Sequence, residues 1–100
     1  MAELVLEFAA DHPAANGHFP GNPVIPGAFL LGETLRTITT AVNGGLVPVE
    51  IDGVKFLNPV RPGDRVAVTF ATTGDGVIRF SCTVEGKSVM VGTAKCRVAK

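Results

Sequence analysis

The stretch GAFLLGETLRTITTAV, residues 27–42, carries the one convincing helical pattern of the sequence. Pro26 stands where a helix can begin, and Asn43, Gly44 and Gly45 are typical of a helix end. The first half of the stretch is apolar around most of its circumference, which predicts a buried helix and not a surface helix. The apolar positions are Phe29, Leu30, Leu31, Leu35, Ile38, Ala41 and Val42.

Strand patterns dominate the rest of the chain. Apolar and polar residues alternate over residues 3–8, 78–85 and 90–98, as in half-buried antiparallel strands. Turn or bulge signals fall at residues 52–53, 58–64, 74–76 and 85–87. One strand, one apolar helix and then about three antiparallel strands predict an α+β layer, in which the sheet wraps the helix because nothing else can cover it.

Length and composition limit the classes of function. One hundred residues, 46% of them hydrophobic, predict a single domain over residues 1–100 with apolar surface left for a second subunit, so we expect a homodimer. Nine basic and nine acidic side chains cancel, which argues against nucleic acid as a partner. Glu3 and Glu7 interrupt the first apolar stretch, and no run is long enough to span a membrane. We therefore expect a cytoplasmic protein.

The sequence offers few metal-binding side chains. Cys82 and Cys96 lie far apart, each on the apolar side of an alternating stretch, and are interpreted as core thiols. His12, next to Pro13, is interpreted as a loop residue and not as a second base. With two histidines and no clustered carboxylates, we expect neither a metal site nor a cofactor.

A stiff loop, GHFPGNPVIPG at residues 17–27, holds His18 just before the helix. Its prolines fix backbone angles, so the imidazole is held close to the free N–H groups of the helix start. Imidazole can act as a base near neutral pH, and those N–H groups can bind a developing oxyanion. Such a pair suits removal of a proton next to a carbonyl. The alternative is a structural histidine that hydrogen-bonds its own loop.

Two segments together resemble a known family. His18-Phe19-Pro20-Gly21, then Pro23 and Pro26-Gly27 before an apolar helix, is similar to the active-site segment of the 3-hydroxyacyl-[acyl-carrier-protein] dehydratases of the hot-dog fold. The segment KFLNPVRPGD, residues 55–64, resembles the second typical segment of that family, in the same order and at a similar distance. The resemblance covers most of the chain, and it implies a hot-dog domain whose sheet wraps one long helix.

The resemblance also implies a mechanism and roles for residues. His18 would take the proton alpha to the thioester, the N–H of Gly27 would bind the thioester oxygen, and an acid on the partner subunit's helix would protonate the departing hydroxyl. This implies an acyl thioester on acyl carrier protein or coenzyme A as substrate, at two sites in the subunit interface, for fatty-acid or related acyl-chain synthesis. Substrate-binding positions are expected at Phe19, Pro26, Ala28, Phe29, Leu30 and Leu31.

The sequence departs from the family at the acid. In the family, the carboxylate lies five residues after the glycine of the Pro-Gly pair. Counting from Gly27, that position is occupied here by Gly32, and Glu33 follows one place later. One residue turns an α-helix by about 100°, so Glu33 would replace that acid only if a bulge, eased by Gly32, rotated it. Otherwise we expect Glu33 to be an ordinary charged residue at the dimer seam or near solvent, paired either with Arg36 at i, i+3 or with a residue of the partner subunit. The alternatives are then a protein that binds acyl thioesters without turnover, or an acyl thioesterase.

Three cations gather around the Pro/Gly corner. Lys55, Arg61 and Arg65 could receive an acidic carrier protein or the phosphate of a pantetheine arm. The alternative is a solvated rim without a partner.

Overall fold

A five-stranded antiparallel sheet and one helix form the described part of the chain, which in this computed structural model covers residues 2–9, 24–42, 46–73 and 76–98. The elements are β1 (Ala2–Glu7), α1 (Gly27–Ala41), β2 (Leu46–Phe56), β3 (Arg65–Thr72), β4 (Val77–Val84) and β5 (Lys87–Val98). The strand order in the sheet is β1-β3-β4-β5-β2. Four strands follow the helix in this part of the chain, one more than the sequence pattern predicted.

The predicted helix is confirmed, but α1 buries only one of its faces within the single chain. Leu30, Thr34, Leu35, Ile38 and Thr39 are buried, at the spacing that places side chains on one face. Ala28, Gly32 and Arg36 are exposed on the opposite side. The prediction of a buried helix therefore holds, within the single chain, for the side of α1 that the sheet covers.

The inner face of the sheet follows the predicted alternation. Ile78, Phe80 and Cys82 of β4 are buried, and so are Met90 and Ala94 of β5. Small residues on β5 make room for larger residues on β4. A Cβ at Gly92 would lie 2.6 Å from Cζ of Phe80, so only glycine fits beneath that ring.

The two cysteines belong to this core. Both are free and buried, as predicted. Thr34 Oγ1 on the helix lies 3.6 Å from Cys82 Sγ, where α1 crosses the middle of the sheet. Burial raises the pKa of the Cys82 thiol and also that of Cys96. Both thiols are therefore held in their protonated form.

The segments predicted as turns or bulges have different structures. Register shifts lie between Pro48 and Glu50 and between Ile51 and Gly53 where β2 pairs with β5, so the signal at 52–53 is a bulge within a strand. Residues 85–86 form the turn between β4 and β5. Their φ angles of 51° and 80° match the primed turns that suit hairpin twist. The turn at 74–76 falls partly outside the described residues.

Within residues 2–9, 24–42, 46–73 and 76–98, no helix is both long enough and apolar enough to cross a bilayer.

Candidate active site

A cleft of about 460 Å³ opens at the start of α1, between the residues before the helix and the segment that follows β2. Ile25, Leu30 and Val60 line it and are buried in the core, so the cleft reaches down to the core itself. Phe56 and Leu57 line it as well, with side chains that are 52% and 48% exposed. The remaining lining residues are Val24, Pro26, Gly27, Asn58 and Pro59. None of the ten carries a charged side chain.

Backbone hydrogen bonds fix the two walls relative to each other. The N–H of Ile25 donates to the carbonyl oxygen of Val60 at 2.7 Å, which joins the chain before α1 to the segment after β2. That segment is bound to β5, because the N–H of Leu57 donates to Val89 O at 2.9 Å and Asn58 Nδ2 donates to Ser88 O at 2.7 Å. Hydrogen bonds therefore anchor both cleft walls, to each other and to β5, although most of the lining residues lie outside the helix and the strands.

The Pro/Gly corner anchors the same segment on its other side. The Arg61 N–H donates to Asp64 Oδ2 at 2.8 Å, which closes a tight turn, and Gly63 occupies it with a φ of 92°. The Gly63 N–H then donates to Phe8 O at 2.8 Å. Proline, glycine and aspartate are thus needed here to hold the segment between β1 and the start of the helix.

Backbone N–H groups at the helix start provide hydrogen-bond donors at the cleft. The first hydrogen bond of α1 runs from the Leu30 N–H to Pro26 O, at 3.0 Å, and Pro26 makes no side-chain cap. The amides of Gly27 and Ala28 precede that bond, so they have no acceptor within the helix. The positive end of the helix dipole lies at the same place. An anionic oxygen in the cleft beside Gly27 would therefore be stabilised.

The predicted site residues divide into three groups. Gly27, Pro26 and Leu30 come together in the cleft. Ala28 is exposed, Leu31 packs against the core, and the Phe29 ring lies 6.1 Å from the Phe8 ring, so these three positions do not line the cleft. His18, Phe19 and His12 lie outside the described residues.

Glu33 pairs with Arg36. Arg36 Nη2 lies 2.7 Å from Glu33 Oε1, and the Glu33 side chain is 26% exposed. The hydrogen bond and charge of Glu33 raise the pKa of the Arg36 guanidinium. α1 is α-helical over all of Gly27–Ala41, so the bulge that would rotate Glu33 is not formed. Glu33 therefore lies about 100° around the helix from position 32, where the family acid is expected.

Position 32 itself is open. Gly32 is exposed, and a Cβ built there would meet no atom within 4 Å among the described residues. The glycine is thus not required by packing within this chain. A larger side chain could occupy the position without displacing any described neighbour.

Sequence reasoning missed the outer wall of the cleft. Phe56 and Leu57 were recognised only as part of the second segment, although two adjacent, large apolar residues at the end of a strand were a signal of exposed apolar surface. Around the corner, Lys55, Arg61 and Arg65 are exposed, and Arg65 Nε lies 3.3 Å from Glu7 Oε2. No group of three or more His, Cys, Asp or Glu side chains positioned for a metal ion occurs within residues 2–9, 24–42, 46–73 and 76–98.

Comparison with known families assigns the chain. The profile of the ApeI-like family, described as ApeI dehydratase, matches residues 1–93. The chain belongs to the ApeI-like dehydratase family. It is also 37% identical to the 3-hydroxyacyl-[acyl-carrier-protein] dehydratase FabZ of Erwinia tasmaniensis over 106 aligned positions, which cover 92% of this chain and 70% of that protein. The FabZ of Cronobacter sakazakii is equally similar, at 37% identity over the same shares.

Solved structures show the same fold. An uncharacterized protein from Erwinia carotovora superposes with a TM-score of 0.82 at 29% identity, covering 96% of this chain and 82% of that one. The dehydratase heterocomplex ApeI:P from Xenorhabdus doucetiae superposes with a TM-score of 0.81 at 21% identity, covering 94% of this chain and 84% of that one. The predicted hot-dog fold and the predicted dehydratase class are therefore confirmed for this ApeI-like chain. The roles of individual residues stay predictions.

Proposed function

We propose that this ApeI-like protein interconverts a 3-hydroxyacyl thioester and the trans-2-enoyl thioester, with loss or gain of water, in acyl-chain biosynthesis. The observation that carries the proposal is the position of the Gly27 amide, which lies at the helix start and in a cleft that reaches the core and whose described lining residues carry no charge. Its relatives are named for acyl carrier protein, which favours a carrier-protein thioester as the substrate. The cytoplasmic location also stays a proposal, which cell fractionation tests.

The chemistry needs a base, an oxyanion donor and an acid. In the proposed reaction His18 removes the proton from the carbon alpha to the thioester, and the electron pair moves onto the carbonyl oxygen, which accepts a hydrogen bond from the Gly27 N–H. The pair then returns to form the carbon–carbon double bond as the hydroxyl leaves. A carboxylic acid protonates that hydroxyl, so that it leaves as water.

We propose that a second copy of the chain completes the site. β2 pairs with β5 on one side and forms an edge of the described sheet, with Ile51 exposed, and a long edge strand of this kind is a template for pairing between chains. Glu33 is then the nearest carboxylate in sequence to the expected acid position, and it must leave Arg36 to act.

The Glu33–Arg36 pair favours a second candidate function, which is binding of acyl thioesters without efficient turnover. The Glu33 carboxylate lies 2.7 Å from the Arg36 guanidinium, so it is engaged by that contact and is not available to a departing hydroxyl. With glycine at position 32, such a protein would keep the oxyanion donor and the cleft but lack the acid.

Hydration of a trans-2-enoyl thioester separates the two candidates. Turnover is followed by the loss of ultraviolet absorbance of the conjugated thioester, and binding of the saturated thioester by titration calorimetry. Turnover that falls at least a hundredfold in Glu33→Gln, about 2.7 kcal/mol in the barrier, would support the dehydratase with Glu33 as its acid. Binding without turnover on either carrier would support the second candidate.

A further inference from the structure

Phe56 occupies an unusual position for a large aromatic residue. It is the last residue of β2, and about half of its surface is exposed although its ring packs against the start of the helix. A Cβ built on Gly27 would lie 3.0 Å from Cε1 of the ring and 3.2 Å from both Cδ1 and Cζ. The ring edge therefore lies directly against Gly27.

The ring lies beside the residue whose N–H is proposed to bind the thioester oxygen. The amide nitrogen and the built Cβ of Gly27 are bonded to the same Cα, and the ring atoms lie 3.0–3.2 Å from that Cβ. For an acyl carbonyl bound at that N–H, we therefore expect the carbonyl carbon and the carbon alpha to it to be the atoms closest to Phe56. The more distant part of the acyl chain lies toward other cleft residues, including Leu57 on the outer wall and Leu30 at the floor.

We propose that Phe56 selects acyl groups that are unbranched at the carbon alpha to the thioester. This inference rests on the proposed function and adds a specificity residue to the same site. A methyl group on the alpha carbon would enter space that the Phe56 ring fills, and one methylene-sized group in a tight pocket changes selectivity by about 10- to 200-fold.

The chain supplies matched controls for this test. Leu57 is the next residue, is exposed to a similar extent and also lines the cleft. None of its atoms is among the three nearest to the Cβ built on Gly27. Val5 on β1 is 50% exposed and does not line the cleft. Because Phe56 is half exposed, Phe56→Ala leaves the buried core intact. Phe56→Leu keeps an apolar group there if the alanine variant unfolds.

The experiment compares two pairs of ligands in each variant. Hydration kinetics use the coenzyme A thioesters of trans-2-butenoate and trans-2-methyl-2-butenoate, and calorimetry measures Kd for butyryl- and 2-methylbutyryl-coenzyme A. We expect the wild type to favour the unbranched member at least thirtyfold. In Phe56→Ala that preference should fall at least tenfold, whereas in Leu57→Ala and Val5→Ala the preference should stay within twofold of that of the wild type.

Four results would overturn the inference: a wild type without preference, a Phe56→Ala preference within twofold of the wild type, an equal fall in Leu57→Ala, or no binding of either saturated thioester. Failure of the proposed function looks different. In that case the wild type does not hydrate the enoyl thioesters, while the ratio of the two Kd values still decides the role of Phe56.

Discussion

Adding a carboxylate at position 32 should raise the dehydratase activity of this protein. A Cβ at Gly32 meets no described atom within 4 Å, so Gly32→Ala fits the described part of the folded chain and the side chain of Gly32→Glu starts from open space. Glycine within a helix costs about 1 kcal/mol relative to alanine. Gly32→Ala should therefore raise Tm by about 4–8 °C, and Gly32→Glu should raise it by somewhat less.

Only the glutamate variant should gain activity. A positioned general acid contributes about 10²- to 10⁴-fold to a rate. We expect kcat/KM for hydration of a trans-2-enoyl thioester to increase at least tenfold in Gly32→Glu and to stay within twofold of the wild type in Gly32→Ala. Absorbance of the enoyl thioester gives the rate, and circular dichroism gives Tm. Equal rates in all three proteins would refute the assignment of position 32 as the place of the missing acid.

Three further predictions concern stability and thiol reactivity. Ile38 is fully buried on α1, so Ile38→Ala should lower the free energy of unfolding by about 2–5 kcal/mol, and Ile38→Val by about 0.5–1.5 kcal/mol, in urea titrations at fixed protein concentration. Glu85, which precedes Gly86, has a φ of 51°. Because asparagine tolerates this conformation better than glutamate, Glu85→Asn should stabilise the hairpin by up to about 1 kcal/mol. A lower urea midpoint for this variant would contradict the prediction. Burial raises the pKa of Cys82 and of Cys96. Above about pH 8.5 the unfolded state therefore loses thiol protons that the folded state keeps. The free energy of unfolding should consequently fall as the pH rises beyond that value. A disulfide reagent at pH 8 should label both thiols slowly until denaturant is added, and rapid labelling of the native protein would contradict their burial.

Local sequence patterns were enough to predict the helix and the strands, but they did not predict the order of the strands in the sheet. The helix over residues 27–42 and the alternation in β4 depend on neighbours in sequence, so periodicity identifies them. β2 pairs with β5 over Leu46↔Val98 to Phe56↔Met90, and its bulges come from that pairing. Nothing in the sequence around β2 specifies so distant a partner, which is why the sequence predicted strand structure with a bulge or turn here but not the pairing with β5.

The candidate site was likewise predictable where it depends on local sequence and not where it depends on distant contacts. The contact of Glu33 with Arg36 was expected from a spacing of three residues on one helix. The resemblance supplied Gly27, Pro26 and Leu30. The position of Phe56 against Gly27 was not predicted, because it depends on how the end of β2 is placed beside the helix start by the Ile25–Val60 hydrogen bond.

The measurement that tests the central claim most directly is the hydration of a trans-2-enoyl carrier-protein thioester by the wild type and by His18→Ala, with Kd for the saturated thioester measured on both proteins. If His18 is the base and the Gly27 amide binds the thioester oxygen, kcat falls at least a hundredfold in His18→Ala, while Kd stays within about threefold of the wild type. A His18→Ala protein that hydrates the substrate at the wild-type rate would contradict the account.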